Sequence, residues 1–244
     1  GDYNNHIITL DKISLRDSAG KIDSKASYHP ATKTAKFEAQ STLHLQMLCR
    51  QLFGISVMNQ LTFSTPPTLS CTGTVRLSSG SPPETMITGQ ISVSDFSFLG
   101  SRFEKLETDF SSHNRDVFLT RLHATHSKGE LKGRILLKDE SIQYEADSTL
   151  PASSYTPFLN ESGIGKALEN ALFHDDSSIH IKARGTMNRH RLTQWEADGY
   201  AKINNFSYKG TSLNSLSGYY SLSALRSDFT DIKADFNYDD YALK

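Results

Sequence analysis

At 244 residues the chain can hold one large β domain or two smaller ones, with about 70 to 75 % of its unfolded surface available for burial, so a core needs neither metal nor disulfide. Lysine and arginine number 26 against 27 acidic residues, a formal charge of -1, which argues against the electrostatic footprint of a nucleic-acid binder. There is no apolar run of about 18 residues and no signal-peptide pattern at Gly1, so any membrane anchor or export signal is expected outside this segment.

Taken in chain order, Ile8 to Gly20 opens with period-two alternation, and Phe37 to Leu43 continues it. Leu45, Leu48 and Leu52 then fall at helical spacing, predicting a short amphipathic helix over Leu43 to Phe53. Pro66 and Pro67 follow it, and Gly80, Pro82 and Pro83 mark the Ser79 to Pro83 stretch as a surface turn. Cys49 and Cys71 are compatible with one disulfide in an oxidising compartment or with two buried thiols.

Further along, Leu131, Ile135 and Leu137 share a face opposite Glu130, Lys132, Arg134 and Lys138. After a turn at Asp139 and Glu140, Ile142, Tyr144 and Ala146 alternate with Gln143, Glu145 and Asp147, which predicts a hairpin. Ile164, Ala167, Leu168, Ala171 and Leu172 predict a second short helix over Gly163 to Phe173, with Asp175 to Ser178 as the break before the next strand. Ile179, Ile181 and Ala183 alternate with His180, Lys182 and Arg184, and Ala201 and Ile203 with Lys202 and Asn204. One wet and one apolar side suits antiparallel strands.

The strands also repeat. Gly89 to Gly100 returns as Gly199 to Gly210 at a constant offset of 110, placing Phe96 on Phe206, Phe98 on Tyr208, Phe103 on Leu213, Leu106 on Leu216 and Phe110 on Tyr220. Phe37 to Leu43 returns as Tyr144 to Leu150, and Ile8 to Gly20 as Val117 to Gly129 at an offset of 109. A third copy supplies Phe229, Ile232 and Ala234. The expected organisation is a piece of a longer array: residues 1–42 end one repeat, 43–150 form a second and 151–244 most of a third.

The strand pair Gly-x-Ile-x-Val-x-Asp-Phe-x-Phe-x-Gly at Gly89 to Gly100, its echo through Tyr220 and the Val117 to Leu137 hairpin resemble the AsmA-like, TamB-like proteins of diderm bacterial envelopes. The resemblance covers most of the chain and rests on no catalytic signature. It implies a long, twisted, curved antiparallel sheet forming a β-groove or trough. It further implies a periplasmic location, a parent protein anchored in the inner membrane, and passage of phospholipid between inner and outer membranes. Family members usually carry an N-terminal membrane anchor, which this segment lacks.

Strands of about six residues span roughly 20 Å, comparable to an extended acyl chain, and each buried methylene contributes about 0.8 kcal/mol. The groove-facing candidates are Ile91, Val93, Leu131, Ile135, Leu137, Ile142, Tyr144, Ile179, Ile181, Ala201, Ile203, Ile232, Ala234 and Phe236. Alternation alone leaves two arrangements open, an uncovered apolar groove or a closed core without ligand.

Other motifs carry less. His123 and His126 fall on opposite faces of a strand, with no cysteine or carboxylate at ligand spacing, so no metal is expected. Arg184, Arg189, His190 and Arg191 read as a wet basic face or turn, and Asp235, Asp239 and Asp240 as a solvated acidic end. Gly163-Ile164-Gly165-Lys166 lacks the rest of a phosphate loop, and Trp195 reads as a packing residue. No nucleophile elbow or acid/base pair is present, so the expectation is a non-enzymatic segment with no cofactor. Its partners would be a phospholipid or other acyl-chain ligand and envelope proteins, with membrane contact made through parts outside this segment. The alternative is a structural or protein-interaction β-repeat module, including a scaffold for outer-membrane protein assembly.

Overall fold

The computed structural model describes residues 7–17, 20–42, 61–98, 100–138, 140–155, 170–188, 194–223 and 226–236. The elements are β1 (Ile8–Asp17), β2 (Gly20–His29), β3 (Thr34–Ser41), β4 (Leu61–Phe63), β5 (Thr68–Arg76), β6 (Glu84–Phe98) and β7 (Ser101–His113). They continue with β8 (Asp116–His126), β9 (Gly129–Leu137), β10 (Ser141–Ser148), β11 (Ala171–Asn188), β12 (Trp195–Tyr208), β13 (Thr211–Ser223) and β14 (Ser227–Phe236). A single 3₁₀ turn, Ala152–Ser154, is the one helical piece among the described residues.

All 14 strands belong to one antiparallel sheet whose order follows the chain, with β4 beside β6, and the sheet does not close on itself. The mainly β architecture expected from alternation is therefore the observed one. Meander order needs only short hairpins, which antiparallel strands permit and parallel strands do not. At Lys209 and Gly210 the hairpin uses two residues with φ of 49° and 80°, the left-handed pair of a type I′ turn.

Two units make up the chain: residues 1–98, 102–124 and 134–139 in the first, and 99–101, 125–133 and 140–244 in the second. In the first, Val93, Phe96, Phe103, Val117, Ala124 and Leu137 are buried, and Phe96 stacks on Phe103 with ring centroids 5.0 Å apart. In the second, Leu150, Ile179, Ala197 and Phe206 are buried, and Phe173 stacks on Phe206 at 6.2 Å.

The internal repeat has a structural counterpart at the irregularities as well as in the strands. Asp95 and Asn205, 110 residues apart, both adopt positive φ (48° and 53°), as do Arg121 and Asp231 (51° each). The register of β1 shifts between Leu10 and Ile13, the same phase of the repeat as Arg121. A β-bulge bends a strand and increases its local twist, so each copy bends at the same places. Asp and Asn tolerate left-handed backbone better than most residues; for Arg121 the structure gives no comparable local reason.

Of the two helices expected, one needs revision. The helix expected over Leu43 to Phe53 lies outside the described residues. Of the second, residues 163–169 also lie outside them, but Ala171 to Phe173 are strand: they pair with Tyr208, Ser207 and Phe206 at the start of β11. Short apolar runs do not distinguish helix from strand by periodicity, and here main-chain pairing and the Phe173–Phe206 stack decide. The break expected at Asp175 to Ser178 is instead an irregularity within β11, where the register shifts between Phe173 and Ser178.

Candidate functional site

Cross-strand register shows where the groove-facing candidates go. In the second unit, Ile142 faces Met187, which faces Trp195, and Tyr144 continues through Gly185 and Ala197 to Leu222. Ser148, Ile181, Ala201 and Gly218 form another rung, as do Ile179, Ile203, Leu216 and Ala234. Directly opposed residues have Cβ atoms about 4.5 to 5.5 Å apart, so these rungs make one apolar face across five strands. Beyond Asn205, Phe173, Phe206, Leu213 and Phe236 form a further rung.

Burial along this face is uneven. Ile179 is buried, Ile142, Tyr144, Ile181, Ala201 and Ile203 are half-buried, and Ile232, Ala234 and Phe236 on β14 are exposed, Ile232 at 62 %. Ile232 sits in an irregular stretch of the β13–β14 pairing, with its side chain beside Gly218. In the first unit Ile91 faces Leu69, Val93 is 2 % exposed, Ile135 is half-buried and Leu137 buried. Leu131, in the second unit, is half-buried.

Sequence alternation missed part of this face. Leu213, Leu216, Tyr220 and Leu222 belong to it, as do Met187 and Trp195. The overlooked signal is a change of spacing from two to three across each left-handed residue: Val93 to Phe96, and Ile203 to Phe206. Three-residue spacing reads as helix when a bulge is not considered.

Aromatic rings lie on glycines at four repeat-related places. A Cβ built on Gly73 would fall 2.5 Å from the Phe37 ring, and one on Gly89 would fall 2.6 Å from the Phe110 ring. Equivalent positions on Gly185 and Gly199 would meet the hydroxyls of Tyr144 and Tyr220, each at 2.6 Å. A ring laid on a cross-strand glycine restores the contacts that a missing side chain leaves out. The two hydroxyls reach main-chain carbonyls, Tyr220 donating to Lys182 at 3.2 Å and Tyr144 to Glu196 at 3.5 Å. Burial pushes the Tyr220 phenol well above its usual range, with neighbouring Tyr144, Tyr155 and Asp198 adding to the effect. Tyr144 and Tyr155 are raised for the same leading reason.

The polar face of the first unit carries a groove between two rows of side chains. An open groove of about 780 Å³ runs across the strands from β1 to β8. Its floor is the backbone rung Ser24, Ala39, Cys71 and Gly89. One wall carries Asp23, Gln40, Ser70 and Gln90, directly opposed strand by strand, and the other Lys25, Glu38, Thr72 and Thr88. None of the fourteen candidates lines it.

Most charges in the groove are paired with neighbours. Lys25 meets Glu38 at 2.8 Å, Arg121 pairs with Asp109, and Gln90 donates to Asp109 at 3.1 Å. Lys21 and Ser14 hold the Asp23 carboxyl below its usual range. Cys71 is a free, half-buried thiol raised by desolvation; Cys49 lies outside the described residues.

Among the described residues no cluster of His, Cys, Asp and Glu is placed to hold a metal, and no helix is long and apolar enough to cross a membrane. Arg184 sits opposite Glu145 and Asp198, and exposed Asp235 opposite Ser215. Arg189, His190, Arg191, Asp239, Asp240 and the Gly163 to Lys166 stretch lie outside the described residues. No known protein family, curated protein or solved structure matches the chain.

Proposed function

We propose that the chain is a non-enzymatic β-groove segment of an AsmA-like, TamB-like envelope protein, periplasmic, whose apolar face shields phospholipid tails between two membranes. The observation that carries this reading is the register of the second unit: Ile179–Ile203–Leu216–Ala234 and Ser148–Ile181–Ala201–Gly218 place apolar or small groups side by side across successive strands. All described strands lie in one sheet, so no second sheet among the described residues covers that face. Acyl chains need no specific contact to be held there, only apolar area removed from water.

The test is site-specific photocrosslinking in cells. A benzophenone side chain at Ile181 should capture acyl lipid, and one at the neighbouring Lys182 on the polar face should not. Equal capture at both positions, or none at Ile181, Ile203 and Ala201 alike, refutes the groove. Ile181→Asp should abolish capture by a benzophenone at Ile203 while circular dichroism still reports a folded sheet; undiminished capture removes Ile181 from the site.

A second reading, a structural or interaction module that includes a scaffold for outer-membrane protein assembly, is favoured by the two ends of the strand order. Ile8, Leu10 and Leu15 on β1, and Phe229 and Ile232 on β14, are all more than half exposed. Exposed edge strands recruit other strands. Crosslinks from β14 to an envelope protein, with no lipid captured at Ile181, would favour it.

A further inference from the structure

We infer that the polar groove of the first unit binds an uncharged, extended glycan lying across the strands. None of the apolar lipid-facing candidates lines this groove, so this inference does not rest on the lipid reading.

Three observations carry it. First, the two walls are parallel rows of hydrogen-bonding side chains, one through Gln40, Ser70 and Gln90, the other through Glu38, Thr72 and Thr88. Residues two apart on a strand are about 6.8 Å apart, a separation at which a pyranose ring lying between the rows presents hydroxyls to both. Second, the rows advance by one strand, about 4.8 Å, at each step. That step is close to the rise of one ring in an extended β1,4-linked glycan, so successive rings meet successive strands in similar surroundings.

Third, most of the charged side chains in the lining already have partners, which disfavours a strongly ionic ligand. The lining holds four carboxylates, Asp11, Asp23, Glu38 and Asp109, and three bases, Lys12, Lys25 and Arg121. Glu38, Asp109 and Asp23 already pair with Lys25, Arg121 and Lys21. The middle of the groove is hydroxyl and amide: Thr72 and Thr88 share a hydrogen bond at 3.4 Å, and both oxygens keep lone pairs to offer a ligand.

The second unit supplies the internal contrast. Its corresponding rows read Asp147, Lys182, Tyr200 and Tyr219 in one and Glu145, Arg184 and Asp198 in the other. Asp147 is engaged by His180 at 2.8 Å and Lys182 at 3.7 Å, and Tyr200 lies against Tyr219 at 5.3 Å. The equivalent strands thus carry charge and aromatic rings there, and the hydroxyl and amide walls at Ser70, Thr72, Thr88 and Gln90 are particular to the first unit.

The experiment is an NMR titration of the isotopically labelled chain with cellopentaose, cellobiose and a pentamer of β1,4-linked mannuronate. Cellopentaose should give saturable amide shifts confined to β2, β3, β5, β6 and β7, and should bind at least tenfold tighter than cellobiose. The double substitution Thr72→Ala with Gln90→Ala, at exposed positions, should lower that affinity about tenfold and leave the circular dichroism unchanged. The inference is overturned by the absence of saturable shifts, by equal shifts in β10 to β13, by equal affinity for the two neutral oligomers, or by preference for the uronate. Retained affinity in the double variant overturns it as well.

Discussion

Phe37 and Phe110 in the first unit occupy the repeat positions of Tyr144 and Tyr220 in the second, each ring lying on a cross-strand glycine. The geometry of the contact is kept while its chemistry differs. In the first unit the ring only fills space; in the second it also ties a hydroxyl to the main chain and brings a titratable group to a desolvated face. A repeat therefore conserves shape at these points more strictly than polarity.

The comparison can be broken most severely at the glycines. A Cβ at Gly199 would fall on the main-chain oxygen of Lys182 and against the Tyr220 ring, so Gly199→Ala should destabilise the fold by about 3 kcal/mol or more in urea unfolding. At Gly73 the nearest atoms belong to the Phe37 ring, with the closest main-chain atom at 3.1 Å; the ring can turn aside, and Gly73→Ala should cost about 1 to 2 kcal/mol. Equal costs would show that the ring, rather than the neighbouring main chain, sets the limit.

A smaller effect should separate the units by pH. The Tyr144 and Tyr220 phenols are raised by burial, so the folded state favours their neutral form. Their contribution is complete below the unfolded tyrosine value, about pH 10, and declines as pH rises beyond it, because the unfolded chain then releases protons more readily. Thermal melts above that pH should lose stability, and Tyr144→Phe with Tyr220→Phe should flatten the decline. An unchanged pH profile in the double variant would assign the loss to other groups.

At neutral pH, Tyr220→Phe alone should cost about 0.5 to 1.5 kcal/mol, the worth of one hydrogen bond to a main-chain carbonyl, measured by chemical unfolding. No loss of stability in Tyr220→Phe would make the hydroxyl dispensable. Smallest of all, Lys25→Ala should change stability by less than about 0.5 kcal/mol, since its pair with Glu38 is exposed on both sides.

Strand identity was legible wherever one face is apolar and the other charged, as at Leu131 to Leu137 and Ile179 to Ala183, because burial imposes period two directly. It was not legible at Ala171 to Phe173, where helical spacing in the preceding residues runs into a strand held by Tyr208, Ser207 and Phe206. The bulges were hidden because a left-handed residue changes apolar spacing from two to three without any Gly or Pro to announce it; Asp95 and Asn205 look like ordinary polar positions. The polar groove was invisible for another reason. Lys25, Glu38, Gln40 and Thr72 read as a solvated face, and only cross-strand register brings them around one groove.

Between Phe63 and Thr68 in the first copy the chain spends four residues, Ser64 to Pro67, interrupting β4 from β5. Its counterpart, between Phe173 and His180, spends six and keeps one strand, β11. Both then share the same pairing, Thr68 facing Ser92 as His180 faces Lys202, although the second copy already pairs from Ser178 onward. Length has drifted by two residues while the ladder on either side has kept its register. At this joint the repeats have diverged in length without disturbing the ladder on either side, even though Pro67 within it is fully buried.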